Sequence, residues 1–205
     1  MHSLIGQTTY EFVEKKSRFI GLLYHIEEVS RVDDILNEVR LTYPGANHYV
    51  YAYVINQYSQ KASDDGEPQR TAGYPILDVL IKNQLNDVLA IVVRYFGGTL
   101  LGSGGLIRAY THAISEAIKK ATLSKKVTLL DCTIKTSYPH LKDVEYLLKD
   151  HVEIKNINYL EDVEIHYYVS EEMHLLIKDK LYQANGFKDL ITIHQEMVQY
   201  AKVLD

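Results

Sequence analysis

An acidic segment, Ser63-Asp64-Asp65-Gly66-Glu67, is the first part of the sequence whose residue types could do chemistry. Its three carboxylates could bind a divalent cation, act in acid–base catalysis, or pair with arginine or a basic partner. The ligand spacing of a calcium loop, about twelve residues ending in a bidentate Glu, is absent. Adjacent aspartates on a loop usually point into water or cap the next element. We therefore assign no metal site from the sequence, and a metal-binding or catalytic role of this loop stays open as the alternative.

A glycine-rich turn comes next, between an apolar strand and a helix. Its five glycines, from Gly97 to Gly105, leave backbone N–H groups uncovered near the helix N-terminus, where the helix dipole favours anions. Arg94 before the turn and Arg108 after it could flank a phosphate or carboxylate. The predicted anion-binding residues are Arg94, Arg108, Gly97, Gly98, Gly102, Ser103, Gly104, Gly105, Arg70, Lys16 and Arg18. Alternatively, the glycines only let the chain turn and the helix pack closely.

This turn differs from the known nucleotide-binding loops. No Gly-Lys-Ser or Gly-Lys-Thr follows it, as a P-loop would require. Counting from Gly102, Ile107 stands where a dinucleotide fingerprint has its third glycine. The sequence therefore argues against NTP hydrolysis and nicotinamide binding, and we expect no cofactor.

Histidine, tyrosine and cysteine add weaker candidates. His48 could be a general base, but no motif places a serine or cysteine nucleophile, which favours a structural histidine. Tyr49, Tyr51 and Tyr53 share one face of a strand and could stack on unpaired bases or pack against a helix. The single cysteine, Cys132, lies in a strand-like run and is expected to be a buried small hydrophobe.

Charge is distributed unevenly along the chain. Residues 1–128 carry 14 Lys and Arg against 13 Asp and Glu, a net of +1, whereas residues 129–205 carry 8 against 14, a net of −6. All six arginines lie in the first part: Arg18, Arg31, Arg40, Arg70, Arg94 and Arg108. Because arginine is suited to bidentate contacts with phosphate, an anion site is expected there.

Hydrophobic periodicity predicts an α+β chain of two domains, residues 1–128 and 129–205. The first has strands at 8–14 and 17–26 around a Lys15-Lys16 turn, a helix over about 29–43, a strand at 49–54, a helix from Pro75, a buried central strand at 88–93 and a helix at 103–121. The stretch 57–73 is polar and without a period, which predicts a long exposed loop.

The second domain is predicted to be ferredoxin-like, with the order βαββαβ. Its elements are a strand at 127–136, a helix at 139–150, strands at 152–160 and 162–169, a helix at 171–185 that ends at Asn185-Gly186, and a strand at 188–200. No apolar run approaches the ~20 residues that cross a bilayer, and the first residues lack a signal-peptide pattern. We expect a cytoplasmic protein without a membrane partner.

Three segments together resemble the IMPACT family, in its bacterial YigZ and YvyE type, over essentially the whole chain. They are Lys16-Ser17-Arg18-Phe19-Ile20, Ala62-Ser63-Asp64-Asp65-Gly66-Glu67-Pro68 with Thr71-Ala72-Gly73, and Ile91-Val92-Val93-Arg94-Tyr95-Phe96-Gly97-Gly98 with Leu101-Gly102 and Gly105-Leu106. The resemblance implies a first domain like the second domain of ribosomal protein S5 and a second like the last domain of EF-G. Eukaryotic relatives regulate translation by competing for a partner of an amino-acid-starvation kinase.

The leading hypothesis is a non-enzymatic, translation-associated protein. It would bind RNA, the ribosome or a translation-related protein through its first domain. One alternative is a small-molecule hydrolase or phosphotransferase that uses the acidic loop and the glycine turn. Another is a protein-binding module whose acidic loop meets a basic partner.

Overall fold

The computed structural model describes residues 2–56, 58–185 and 191–202. Across these residues the chain is mixed α+β, with five α-helices and two five-stranded sheets, which confirms the predicted fold class. It divides into two compact units, Met1–Lys125 with Tyr200–Asp205, and Lys126–Gln199. Among the helices described, none is long and apolar enough to cross a membrane.

The first unit is built on an antiparallel sheet in the order β2-β3-β6-β4-β5. The strands are β1 His2–Leu4, β2 Gln7–Glu14, β3 Ser17–His25, β4 His48–Ile55, β5 Ser59–Ser63 and β6 Val88–Tyr95, and the helices are α1 Arg31–Thr42, α2 Gly73–Lys82 and α3 Ser103–Lys120. Short β1 pairs with residues 123–125. The apolar run of β6 lies in the centre of the sheet, as predicted.

Alternation along β4 divides the apolar residues of this unit between two cores. Val50, Ala52 and Val54 pack in one cluster with residues of α2 and α3. Tyr53 faces the other way, with Tyr49 and Tyr51 beside it, into a cluster with residues of α1. The tyrosine row therefore packs on the side of the sheet that α1 covers, which is one of the two predicted alternatives.

The prediction of a long exposed loop over 57–73 is wrong for residues 59–63 and for Gly73, and the loop that remains, 64–72, is shorter and partly buried. Residues 59–63 form β5, an edge strand that pairs with β4, and α2 begins at Gly73. The intervening loop is short and partly inside the protein, since Ala72 is fully buried and Glu67 is 8% exposed. The polar edge strand has no apolar alternation, so periodicity could not reveal it.

The second unit has the predicted βαββαβ order. Its elements are β7 Leu123–Thr136, a 3-10 turn at Tyr138–His140, α4 Leu141–Leu148, β8 Glu153–Tyr159, β9 Val163–Ser170, α5 Glu171–Asn185 and β10 Ile191–Lys202. β7 pairs with β9 and β10, and β9 pairs with β8. The predicted helix end at Gly186 and strand start at 188–190 lie outside the described residues.

Candidate functional site

Asp64 uses its carboxylate to close the acidic loop. Its Oδ2 accepts the backbone N–H of Arg70 at 2.7 Å, and its Oδ1 accepts those of Ala72 and Gly73 at 3.1 and 2.8 Å. These donors lie at the start of α2, where a negative charge is stabilised by the helix dipole. Asp64 therefore caps the next helix.

Asp65 ties the same loop to the start of β4. Its Oδ2 accepts the backbone N–H of Tyr49 at 2.6 Å, and its carbonyl lies 2.8 Å from Nδ1 of His48. Because a carbonyl only accepts, Nδ1 of His48 carries a proton in this arrangement. The ring also packs against Gly66, which has a φ of +83° that residues with a side chain rarely adopt. This contact supports the structural interpretation of His48.

Glu67 and Arg94 form a buried ion pair. Arg94 Nη1 donates to Glu67 Oε1 at 2.5 Å, and the Tyr110 hydroxyl donates to the same oxygen at 2.6 Å. The side chains of Glu67 and Arg94 are only 3% and 5% exposed. Burial, reinforced by the hydrogen bond to Glu67, raises the pKa of Tyr110 far above its usual value. Arg94 is thus held inside the fold, which opposes the predicted role of contacting a solvent-borne phosphate.

Further contacts fix the Arg94 guanidinium. Its Nη2 lies 3.4 Å from the Ser17 hydroxyl, and the group stacks over the rings of Phe19 and Phe96 at 5.3 and 5.5 Å. The Ser17 hydroxyl also accepts the backbone N–H of Gly97 at 3.1 Å. The network therefore links the acidic loop to the first residues of the glycine turn.

Two other predicted arginines are engaged at the surface. Arg18 donates two hydrogen bonds to Glu11, at 2.6 and 2.8 Å, and these lower the pKa of that carboxyl. Arg18 also lies over the Tyr95 ring, and Arg70 lies over the Tyr74 ring at 5.1 Å. Both side chains have protein partners that a ligand would have to replace or share.

Arg108 and Lys15 are also exposed, but they differ from these arginines because they make no hydrogen bond or ion pair with any residue that the structure describes. Both line an open pocket of about 320 Å³ between the β2–β3 hairpin and α3. We call this the basic pocket. Its lining is Phe12, Glu14, Lys15, Leu101, Gly105, Arg108, Ala109 and His112. Lys16 is the other residue of the hairpin turn and is also exposed.

Most of the glycines beside this pocket serve the fold. A Cβ on Gly97 would collide with the backbone of Lys16, and Gly98 and Gly102 have φ of +82° and +72°. On Gly105 it would lie 2.9 Å from the side chain of Leu101. Of these five glycines only Gly104 has neither a positive φ nor a close neighbour, since a Cβ there would lie 3.6 Å from Arg108 Nη1. The fold therefore does not require glycine at position 104.

The first turn of α3 has no side chain that neutralises the partial positive charge of its backbone N–H groups. Gly102 is its N-cap residue, no side chain caps the helix, and the first turn contains no acidic residue. Ser103 and Gly104 are exposed there. Uncapped N–H groups carry partial positive charge, and Arg108 lies one turn further on. The structure therefore brings the start of α3 and Arg108 together, as predicted, but it does not bring Arg94 to the same place.

Several members of these networks were missed by the sequence analysis. Tyr110 lies within the predicted helix at 103–121 and Ser17 begins the predicted strand at 17–26, and no motif assigns either side chain a role. Phe12 and His112 pack together, with ring centroids 4.8 Å apart, across a separation of one hundred residues. The adjacent lysines at the hairpin were the only sequence signal for this part of the pocket.

Neither metal nor thiol chemistry gains support in the described part of the chain. No group of three His, Cys, Asp or Glu side chains there could hold a metal ion. Cys132 is fully buried, and burial raises the pKa of its thiol to about 11. It has the environment of a structural cysteine.

A family model for the Impact N-terminal domain matches residues 15–118, which include the acidic loop, Arg94 and the glycine-rich turn. The chain belongs to the IMPACT family. It is 39% identical to the IMPACT family member YvyE of Bacillus subtilis, over 80% of this chain and 76% of that protein. It is 40% identical to the IMPACT family member YigZ of Escherichia coli, over 65% and 68%.

One solved structure of similar extent is the crystal structure of a hypothetical protein. It shares 29% sequence identity with this chain and has a TM-score of 0.61. The match covers 100% of this chain and 97% of that one. The fold of this chain is therefore similar to that of a solved structure along its whole length.

Proposed function

We propose that this IMPACT family protein is a translation-associated regulator that binds RNA, as presented by the ribosome, through the basic pocket of its first unit. The observation that carries the proposal is the position of two cations, Lys15 and Arg108, beside the uncapped start of α3, where neither forms an ion pair with any described residue. The translational setting rests on what the family resemblance implies.

Phosphate recognition fits the chemistry of this surface. Arg108 offers a planar fork of N–H donors, and the N–H groups of Ser103 and Gly104 add donors at the positive end of a helix dipole. Lys15 supplies a point charge from the opposite wall of the pocket. No carboxylate of the described residues forms an ion pair with Lys15 or Arg108. Their charge is therefore available to an anion bound between them.

The pocket also favours a nucleotide over a bare anion. Phe12, Leu101 and Ala109 give it an apolar lining, which can contact a sugar or base while the cations hold the phosphate. Glu14 keeps the local charge low. Binding should therefore be modest and local, in keeping with a first segment whose net charge is only +1.

A protein partner is the second candidate, and exposed apolar side chains favour it. Leu100 is 83% exposed and Phe96 43% exposed, both in the glycine-rich segment. Exposed large apolar groups close to a charged pocket are common in protein interfaces. The enzyme alternative gains no such support, because all three loop carboxylates have partners within the fold.

The test is equilibrium binding of purified ribosomes and of a single-stranded RNA oligonucleotide at about 50 mM salt. Arg108→Ala and Lys15→Ala should each weaken binding at least about fivefold, the loss of one charge-assisted contact. Arg31→Ala, an exposed arginine on α1, is the matched control and should change little.

Absence of affinity at low salt, or equal losses for Arg31→Ala and Arg108→Ala, would overturn RNA binding at this pocket. The protein-partner candidate makes a different prediction. Leu100→Asp would then abolish capture of a protein from lysate, and nuclease treatment would leave that capture intact in the unsubstituted chain.

A further inference from the structure

Strand β8 of the second unit forms an open edge of its sheet. It pairs with β9, and no other strand within residues 2–56, 58–185 and 191–202 pairs with it. One row of its backbone N–H and C=O groups therefore faces outward. Such a row is a template on which another extended chain can add as a strand.

This edge carries one exposed ion pair, Glu153 with Lys155, and a β-bulge between Ile154 and Asn156, and two exposed apolar side chains flank them. Ile154 is opposite Tyr167, and Tyr159 is opposite Val163, so both lie on the face of the sheet that holds the core. Ile154 is nevertheless 42% exposed and Tyr159 60% exposed. They overhang the edge, where an added strand would cover them.

A groove runs between this edge and helix α4. An open depression of about 390 Å³ is lined by Lys142, Glu145, Tyr146, Lys149 and Ile154. A neighbouring depression of about 290 Å³ shares Tyr146 and Lys149 with it. The Tyr146 ring, 80% exposed, separates the two. A large aromatic side chain between two depressions has the character of an interface anchor.

Charge distinguishes this groove from the rest of the second segment. Residues 129–205 have a net charge of −6. The residues that line the two depressions nevertheless include three lysines, Lys142, Lys149 and Lys180, and two carboxylates, Glu145 and Asp150, while the neighbouring Glu153 is paired with Lys155. The groove is thus a local positive surface in an acidic background, and it complements a negatively charged occupant.

We propose that the β8 edge and the α4 groove bind an extended acidic segment of a partner protein, which adds to the sheet as a strand. Alternate apolar side chains of the segment would cover Ile154 and flank Tyr146, and its acidic side chains would face Lys142 and Lys149. A second copy of this chain would bring like-charged lysines together, and RNA has no backbone amides to pair with β8. This interaction is independent of RNA binding by the first unit.

The experiment uses the full chain and a short synthetic peptide that alternates valine and aspartate, with binding followed by fluorescence anisotropy. Tyr146→Ala should weaken binding about tenfold, as expected for loss of an aromatic anchor. Tyr182→Ala, which removes an exposed tyrosine of α5, is the matched control and should stay within twofold. Lys149→Glu should weaken binding, while Lys178→Glu on α5 should not.

Backbone pairing has its own readout. Peptides N-methylated on one alternating set of amides should lose binding, and those methylated on the other set should retain it, because only one row of a strand pairs with β8. Hydrogen exchange of β8 amides should slow on peptide binding.

Four results would overturn the proposal. They are equal losses for Tyr146→Ala and Tyr182→Ala, equal binding of a valine–lysine peptide, equal tolerance of both methylated peptides, and unchanged exchange of β8 amides. Concentration-dependent dimers that Tyr146→Ala abolishes would assign the edge to a second copy instead. If an RNA oligonucleotide displaced the peptide from the unsubstituted protein, and did not bind the Lys149→Glu variant, the groove would be assigned to RNA.

Discussion

The acidic loop and the glycine-rich segment of the first unit use charge in opposite ways. Every carboxylate of the loop has a partner within the protein: Asp64 caps α2, Asp65 holds the start of β4, and Glu67 pairs with Arg94. Beside the glycine-rich segment, Arg108 and Lys15 face an open pocket with no such partner among the described residues. The loop carboxylates therefore stabilise the fold, whereas the two cations of the basic pocket remain available to bind a ligand.

Two arginines show what decides between these uses. Arg94 ends a buried strand, so its guanidinium is desolvated and must be paired inside the protein. Arg108 lies on the exposed face of α3, where an unpaired charge costs little because water solvates it. The same residue type therefore serves structure in one position and is free for a ligand in the other.

The largest expected effect comes from breaking the buried pair. Arg94→Ala leaves Glu67 charged and buried, and should lower the free energy of unfolding by about 3–5 kcal/mol in urea denaturation. The double variant Arg94→Met with Glu67→Leu removes both charges and should recover part of that loss, because the buried Tyr110 hydroxyl then lacks its acceptor. A loss below about 1 kcal/mol in Arg94→Ala would mean that the pair does not hold the loop.

Asp64→Ala should have the next largest effect. It leaves three backbone N–H groups at the start of α2 without their acceptor, at a cost of about 1–3 kcal/mol. Asp78→Ala, which removes an exposed partner of Lys82, is the control and should cost about 0.5 kcal/mol or less. Equal unfolding midpoints for the two variants would contradict the capping role.

Alkaline pH should weaken the same network by a smaller amount. The pKa of Tyr110 is raised in the folded protein above the ~10 of an unfolded chain. Its stabilising contribution is therefore complete below pH ~10 and is lost as the pH rises further, by up to about 1.4 kcal/mol per pH unit. Tyr110→Phe should flatten the stability profile above pH ~10. An unchanged slope would show that this hydroxyl is not responsible.

Sequence reasoning predicted the elements with strong periodicity. The alternation of β4, the apolar run of β6 and the predicted helix at 103–121 all correspond to observed elements, because burial imposes periodic patterns on the sequence. It also placed the uncapped helix start beside Arg108, since both lie in one short stretch of chain. It missed β5 because an exposed polar edge strand has no apolar signal.

The role of Arg94 required the structure. An arginine after an apolar strand looks the same whether it turns outward or pairs inward, and its partner Glu67 is 27 residues away in the chain. Lys15, Phe12 and His112 join the basic pocket through hairpin and helix packing across the first unit. Contacts of such long range leave no local pattern that spacing can reveal.

The contrast between the loop and the pocket is tested most directly by the salt dependence of RNA binding. The measurement compares the unsubstituted protein with Arg108→Ala, after denaturation confirms that their stabilities agree within about 0.5 kcal/mol. Loss of one phosphate contact should reduce the slope of log K against log salt by about 0.7 for single-stranded RNA. An identical slope and affinity in Arg108→Ala would contradict the assignment of the pocket as the binding site.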